Sequence, residues 1–357
     1  MSVQPVQLVR TSREFLENDC HLFVHTDYFS YLRILFRYIA IYHCHRGPKR
    51  GFIQMTKQTR GIFNGIISGI SFGLIPLFSI PVIAAGMGDI SILVYRFLFG
   101  SAAMLLMLLC RRTDMRISWS ELWRIALLSV FYIGTAIATL ECYHYLSSGI
   151  ATALVFTDPI WCAIIGLVVF GDKFSWKLTT SILLATIGVM MMTGVFSEDG
   201  TFSWPGVLWG LVSGLSYAIY IILVPRLKVK SIPSLKLTFY VFFIGMLLLI
   251  LFALAVQGRV EPIMNRSCLI NLMLLGLIPT ALSNICVTMS LKLINSTIVA
   301  ILGAFEPLTA MVVGILVLGD DWSVLSITGA ALILLAVAVL TILPKWLSKH
   351  GIQKENT

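Results

Sequence analysis

The sequence predicts an all-α integral membrane protein in which ten transmembrane helices form two inverted five-helix repeats around a central cavity. Three observations predict this fold: an apolar composition, a duplicated span that carries an acid, and basic residues concentrated in every second loop. Together they define the membrane spans, their orientation and the two halves of the chain.

The composition excludes a soluble globular protein. Of 357 residues, 58% are hydrophobic and 12% charged, whereas soluble domains carry roughly 25% charged residues. The net charge of +9 comes largely from Lys and Arg in short loops beside apolar spans, which predicts orientation in a membrane and not nucleic-acid binding. The seven cysteines have no paired spacing, so no disulfide framework, metal site or cofactor is predicted.

Residues 1–54 differ from the rest and are predicted to be a leader without a membrane span. Their most apolar stretch, Tyr28–His43, contains two arginines one helical turn apart, as in an amphipathic helix on a membrane surface. The cluster His43-Cys44-His45 fits no familiar metal-ligand spacing. The alternative is that translation starts at Met55, which opens a short basic lead into the first span.

From Gly61 onward, successive apolar stretches are about long enough to cross a hydrocarbon core of roughly 30 Å. The ten predicted spans are 61–84, 91–110, 122–145, 149–170, 178–195, 205–225, 234–256, 268–291, 297–318 and 324–343. They divide the chain into a first repeat at 55–198, a second repeat at 199–345 and a cytoplasmic tail at 346–357.

The charges of the loops predict the orientation of these spans. If the N-terminus is cytoplasmic, the outside loops contain only Arg259 and Arg266 as basic residues, and the loop at 196–204 is acidic. This distribution follows the positive-inside rule. We therefore expect both termini in the cytoplasm of a multi-pass protein of the cell (inner) membrane, and an even number of spans.

One stretch of the chain occurs twice. Residues 146–172 align without a gap to residues 294–320, with eight identities, and each copy carries an acid directly before a proline: Asp158-Pro159 and Glu306-Pro307. An ionised acid in the middle of a bilayer is costly unless it faces a cavity or a partner. Two acids at equivalent positions therefore predict one central site between two halves.

A second internal match supports this division. Residues 61–72 (GIFNGIISGISF) match residues 206–217 (GVLWGLVSGLSY), and the glycines recur at the same four-residue spacing, which allows close helix approach. Each repeat would contain five spans. Because five is odd, the second repeat must enter the membrane in the opposite sense, as in the inverted repeats of secondary transporters.

These motifs resemble the EamA family of the drug/metabolite transporter superfamily over roughly residues 61–345. The resemblance includes the glycine-rich opening of spans one and six, Arg96-Phe97, the acid-proline pairs, and the helix ends Gly171-Asp172 and Gly319-Asp320. It implies two five-helix repeats around a cavity, and export of amino acids or other small metabolites by proton coupling or exchange. The family more often has Gly-Glu at these helix ends.

Glu306 and Asp158 are the first candidates for substrate sensing or proton coupling. Glu306 lies about 15 Å from either end of its span, too far for its side chain to reach water at the membrane surface. Pro307 cannot donate a backbone hydrogen bond, so it is expected to free a carbonyl near Gly303 and bend the helix. The alternative is a protonated Glu306 that only holds this kink, and Asp158 beside Pro159 has the same two interpretations.

Four further residues are candidates for the cavity wall. Arg96 could pair with a substrate carboxylate or with Asp158, or it could anchor span two at the membrane surface. Trp161, Tyr217 and Asn284 could contact a substrate, although each type is more often a packing residue in a helix.

The function that these residues predict is secondary transport, most simply export of a small polar metabolite such as an amino acid. The alternatives are a transporter of sugars, nucleosides or drugs, and a membrane-embedded enzyme. No P-loop or HExxH motif is present, so neither ATP-driven transport nor zinc-dependent hydrolysis is indicated. The expected partners are the lipid bilayer and a small-molecule substrate, in a monomer or homodimer.

Overall fold

The fold is seen in a computed structural model of the chain. It describes residues 56–145, 154–171, 176–192, 203–227, 229, 232–256, 258–313, 316 and 324–341. The predicted leader at 1–54, with its candidate start at Met55, and the predicted tail at 346–357 lie outside the described residues. Asp172 and Gly319-Asp320 of the predicted helix ends also lie outside them.

The described residues are mainly α-helical, with a π-helical segment between two of the helices. The helices are α1 (Lys57–Phe72), α2 (Ile75–Ala84), α3 (Asp89–Cys110), α4 (Trp119–Tyr145), α5 (Asp158–Phe170), α6 (Trp176–Met192), α7 (Trp204–Arg226), α8 (Ser234–Val256), α9 (Arg266–Leu275), α10 (Ser283–Leu293), α11 (Ser296–Leu302), α12 (Phe305–Val313) and α13 (Val324–Thr341). The π-helical segment, Gly276–Leu282, joins α9 to α10.

Within the described ranges, seven helical stretches are long and apolar enough to cross a membrane. They are Lys57–Ala84, Asp89–Cys110, Trp119–Cys142, Trp204–Arg226, Ser234–Val256, Arg266–Leu293 and Ser296–Val313. Three shorter apolar helices, Asp158–Phe170, Trp176–Met191 and Ile327–Ala336, lie at the positions of the other predicted spans. Large apolar side chains such as Leu106, Val168 and Leu251 are exposed on the outer surface, as expected for side chains in contact with lipid.

Three of these stretches are interrupted. α1 ends at Phe72 and α2 begins at Ile75, with Gly73 and Leu74 between them. α11 ends at Leu302, and α12 begins at Phe305 after a turn. A turn at 156–157 likewise precedes α5. In each case a proline follows within the first three residues of the next helix, where its missing N–H is tolerated.

The helix ends follow local rules. The side chain of Thr56 accepts a hydrogen bond from the Thr59 backbone N–H at 3.1 Å and caps α1. Asn265 caps α9 and Asn295 caps α11 in the same way. α5 ends at Phe170 and is followed by Gly171, whose left-handed φ of 63° explains glycine at the predicted helix end.

The two glycine-rich helices pack on the two acid-bearing segments, each across the boundary between the repeats. α1 packs against α10, α11 and α12, and α7 packs against α4 and α5. A methyl group in place of the hydrogen of Gly65 would lie 2.6 Å from Leu302 Cδ1, and one on Gly210 would lie 2.6 Å from Leu154 Cβ. Leu154 and Leu302 are equivalent in the sequence alignment of the duplicated stretch, so the two contacts are equivalent as well.

Candidate functional site

Both predicted acids lie where a helical segment begins. Asp158 is the first residue of α5, and Glu306 is the second residue of α12. The Glu306 backbone N–H donates to the carbonyl oxygen of Gly303 at 2.8 Å. In a continuous α-helix this carbonyl would accept a hydrogen bond from the N–H of residue 307, but Pro307 has no N–H to donate. The helix is interrupted by a turn at this point, and the hydrogen bond of the turn satisfies the freed carbonyl.

A small cavity lies between the two repeats and is lined by both acids. Its volume is about 40 Å³, and its wall includes Asp158, Glu306, Pro307 and Tyr217 from the predicted set. The rest of the wall is mostly apolar and includes Phe72, Val155, Phe156, Ile221, Val287 and Val299. A cavity of this size holds a few water molecules at most.

Neither acid forms an ion pair with a basic side chain in the part of the chain that the structure describes. Asp158 is 5% exposed, and the only ion pair found among the described residues joins His144 to Asp89. That pair connects the end of α4 to the start of α3, with His144 exposed. A buried carboxylate without an ion-pair partner is costly, so the cavity favours protonated acids or a bound cationic group.

Arg96 lies in α3 and is not part of this cavity wall. It is 8% exposed, and its Nε donates to Thr280 Oγ1 at 2.8 Å. Thr280 belongs to the π-helical segment, and its hydroxyl donates in turn to the carbonyl oxygen of Leu275 at 2.7 Å. Arg96 forms no ion pair with Asp158.

Asn284 is fully buried at the start of α10 and belongs to the same polar cluster as Arg96. Its Nδ2 donates to the carbonyl oxygen of Thr280 at 2.9 Å and to the hydroxyl of Tyr132 at 3.0 Å. Its Oδ1 has no hydrogen-bond partner among the described residues. Unpaired buried polar atoms are rare and often indicate a functional site or bound water.

Tyr217 and Trp161 differ in their positions. Tyr217 lines the cavity and meets Phe72 edge to face, with ring centroids 6.4 Å apart. Trp161, in the first turn of α5, packs against the main hydrophobic core, and its buried indole N–H has no partner among the described residues. Pro159 is buried in the first turn of α5 beside Asp158.

Phe72, Tyr132 and Thr280 are site residues that sequence reasoning missed. The sequence could have identified Phe72, because it aligns with the candidate Tyr217 in the second internal match. In the structure these two equivalent residues touch each other at the cavity. Tyr132 and Thr280 gave no signal of this kind, since neither falls in a repeated motif.

Apolar helices of membrane length, packed around a small cavity that contains two acids, define a polytopic membrane protein of the transporter class. The sequence profile of the EamA-like transporter family matches residues 59–194 and, a second time, residues 204–342. The chain belongs to that family. The resemblance seen in the sequence motifs is thereby confirmed.

Individual relatives agree with this assignment. An uncharacterized transporter of Archaeoglobus fulgidus is 28% identical over 212 residues, which are 59% of this chain and 74% of that protein. The uncharacterized transporter YdfC of Bacillus subtilis is 26% identical over 248 residues, 66% of this chain and 76% of that protein. A solved crystal structure covers 80% of this chain and 98% of its own, with a TM-score of 0.69 at 14% identity, a likeness of fold alone.

Proposed function

We propose that the protein is a secondary transporter that exports a small polar metabolite, such as an amino acid, across the cell membrane by alternating access. The observation that carries this proposal is the single cavity lined by Asp158 and Glu306, one acid from each matched repeat. Acids inside a membrane protein are typical of substrate and proton pathways. Each acid also lies at the start of a broken helix, the arrangement that secondary transporters use at their central sites.

An inverted arrangement of ten spans is part of this proposal. The loop charges support it, because equivalent loops of the two repeats differ in their content of basic residues. The equivalent contacts of Gly65 with Leu302 and of Gly210 with Leu154 are expected for two repeats related by an axis through the cavity. With this orientation, both termini lie in the cytoplasm.

The size of the cavity indicates that transport requires helix movement. A volume of about 40 Å³ is far below the roughly 300–1,000 Å³ of ligand pockets. The described conformation is therefore closed around the acids. The helix breaks before Asp158 and Glu306 are positions where the two halves of each span can move relative to each other.

Coupling to protons is proposed to run through the same acids. A carboxyl group in an apolar cavity is more stable when protonated, and a bound cationic group stabilises its charged form. Binding of substrate and binding of a proton would then compete at one place. Such competition is sufficient for the exchange of substrate against protons across the membrane.

The proposal is tested by uptake of radiolabelled amino acids, sugars and nucleosides into proteoliposomes, with and without a pH gradient. The native chain is compared with Glu306→Gln and Asp158→Asn. We expect one class of solute to accumulate with the gradient. We also expect at least one of the two variants to lose this accumulation while it retains exchange.

The matched control is Asp114→Asn, which removes an exposed carboxylate that accepts a hydrogen bond from the Arg116 backbone N–H at 2.9 Å. This variant should transport at the native rate. Gradient-driven uptake that survives in both cavity variants would refute the coupling role of the acids. The absence of any solute flux by the native chain would refute the transport function.

A further inference from the structure

Arg96 is a buried cation that forms no ion pair among the described residues, although it lies close enough to Glu306 to interact with it electrostatically. Its Nε bond to Thr280 Oγ1 is the one hydrogen bond of its side chain within the described part of the chain. Neither Asp158 nor Glu306 forms an ion pair with it. Because an unpaired guanidinium is costly to bury, a group that accepts its remaining N–H donors is expected to bind there.

Asn284 supplies an acceptor on a side chain that shares Thr280 as a partner with this cation. The orientation of its amide is fixed, because the carbonyl oxygen of Thr280 can only accept and must face Nδ2. Oδ1 therefore points to the other side, where it has no partner among the described residues. Thr280 joins the two side chains, since its hydroxyl bonds Arg96 and its carbonyl bonds Asn284.

Tyr132 adds a donor to the cluster. Its hydroxyl accepts from Asn284 Nδ2 at 3.0 Å, so its own hydrogen is available to another acceptor. The ring is held in place by Phe97, Tyr220 and Phe242, whose centroids lie 5.8, 5.2 and 4.8 Å away. The cluster thus has two donors with hydrogens left to give, the Arg96 guanidinium and the Tyr132 hydroxyl. It also has one acceptor without a partner among the described residues, Asn284 Oδ1.

We propose that Arg96, Tyr132 and Asn284 form a subsite that binds the α-amino carboxylate group of the substrate. A carboxylate accepts from the guanidinium and the phenol, and a neighbouring amino group donates to Asn284 Oδ1. A simple anion would satisfy the donors and leave the amide oxygen unpaired. The inference rests on the proposed transport function and names its substrate class as α-amino acids bound through both head groups.

The subsite is connected to the wall of the acid cavity through one hydrogen bond. Ser68 lines the cavity and donates to the carbonyl oxygen of Ser283 at 2.9 Å, and Ser283 directly precedes Asn284. Asn284 itself is inaccessible in the described conformation. A substrate therefore reaches the subsite only when the helices around the cavity separate.

The test compares four compounds with one side chain: the amino acid that the native protein transports best, its carboxamide, its decarboxylated amine and its deaminated acid. Two quantities are measured for each, namely the initial rate of exchange in proteoliposomes and the shift in thermal unfolding of the full chain in detergent. L-Leucine and its three analogues serve for the unfolding measurement if no amino acid is exchanged. The variants are Arg96→Gln, Arg96→Lys and Asn284→Ala.

We expect the native protein to prefer the amino acid over each analogue by about 10- to 100-fold, the range for a lost hydrogen bond to a charged group. Arg96→Gln should reduce the exchange rate of the amino acid by a similar factor and leave the exchange rate of the carboxamide nearly unchanged. Asn284→Ala should reduce the preference for the amino acid over the deaminated acid. If the role of Arg96 is purely structural, Arg96→Gln should lower the exchange rates of all four compounds by the same factor. That result would overturn the subsite.

The two proposals fail in different ways. Flux of solutes without any dependence on the carboxylate overturns the subsite and leaves transport standing. Carboxylate-dependent stabilisation without flux overturns transport and leaves the subsite standing, and the absence of both overturns both. If Arg96→Gln does not fold, Arg96→Lys and Asn284→Ala provide the same comparison, because each removes part of the hydrogen-bond geometry and leaves Thr280 in place.

Discussion

At the residue scale, the equivalent residues Gly69 and Gly214 allow α1 and α7 to lie close to the turns that carry the two acids. A methyl group on Gly69 would lie 2.9 Å from the carbonyl oxygen of Leu302, and one on Gly214 would lie 2.5 Å from Thr157 Oγ1. The backbone nitrogens of Glu306 and Asp158 lie 3.5 and 3.4 Å from these same positions. Glycine is therefore needed there for close approach of helices to the acid-bearing turns.

The first prediction concerns Gly214→Ala. The added methyl group must displace Thr157, which lies in the turn before Asp158, so we expect the free energy of unfolding to fall by about 1–3 kcal/mol. Thermal unfolding in detergent measures the change. Substrate exchange should fall with it, because Asp158 moves with the turn.

The matched control for this variant is Gly134→Ala in α4. Its added methyl group would lie 3.6 Å from Ser216 Oγ, an ordinary contact distance. Because alanine stabilises a helix interior relative to glycine, this variant should gain about 0.5–1 kcal/mol. Equal unfolding temperatures for the two variants would contradict the close-contact explanation.

At the element scale, the broken spans position the cavity. The turn between α11 and α12 allows Glu306 to lie at the start of a helix, and the turn before α5 does the same for Asp158. The partial positive charge at a helix start favours the ionised form of an acid. The breaks thus partly compensate for the apolar surroundings of the carboxyl groups.

The second prediction concerns Pro307→Ala. Alanine restores the N–H that can bond the Gly303 carbonyl, so we expect α11 and α12 to become more continuous. The unfolding temperature should stay the same or rise, and the exchange rate should fall. Pro81 of α2 is a helix proline that does not line the cavity, so Pro81→Ala should leave the exchange rate unchanged. Native exchange by Pro307→Ala would argue that the break has no role in transport.

At the scale of the whole molecule, the two matched repeats meet at the cavity. Phe72 and Tyr217, which are equivalent in the two repeats, contact each other there, and the acid from each repeat lines the same space. Such self-pairing of equivalent residues is expected when a two-fold axis relates the repeats. Inversion then requires that equivalent loops lie on opposite sides of the membrane.

The third prediction tests this inversion with Asp114→Cys and Arg259→Cys, at equivalent positions 145 residues apart. The exposed Cys110 is replaced by serine, as are Cys20 and Cys44. A membrane-impermeant maleimide applied to intact cells should label only the Arg259→Cys variant. After permeabilisation it should label both variants, and labelling of both from outside would refute the inversion.

The fold class was predictable because the signals are local in the chain. Apolar stretches of membrane length need no tertiary contact to be recognised, since a lipid-exposed backbone must satisfy its own hydrogen bonds as a helix. The described residues cover only part of each of the three predicted spans 149–170, 178–195 and 324–343. The count of ten spans therefore stays a prediction.

The sequence by itself determined the helical class, the family, the duplication and the two acid-proline pairs, because each of these is written in composition or in the alignment of the chain with itself. Only the tertiary structure decided which side chains meet. In the structure Asp158, Glu306 and Tyr217 line one cavity, whereas Arg96 and Asn284 form hydrogen bonds with Thr280. Contacts between helices depend on their rotation and packing, which are set by side chains far apart in the sequence, so no local pattern contains them.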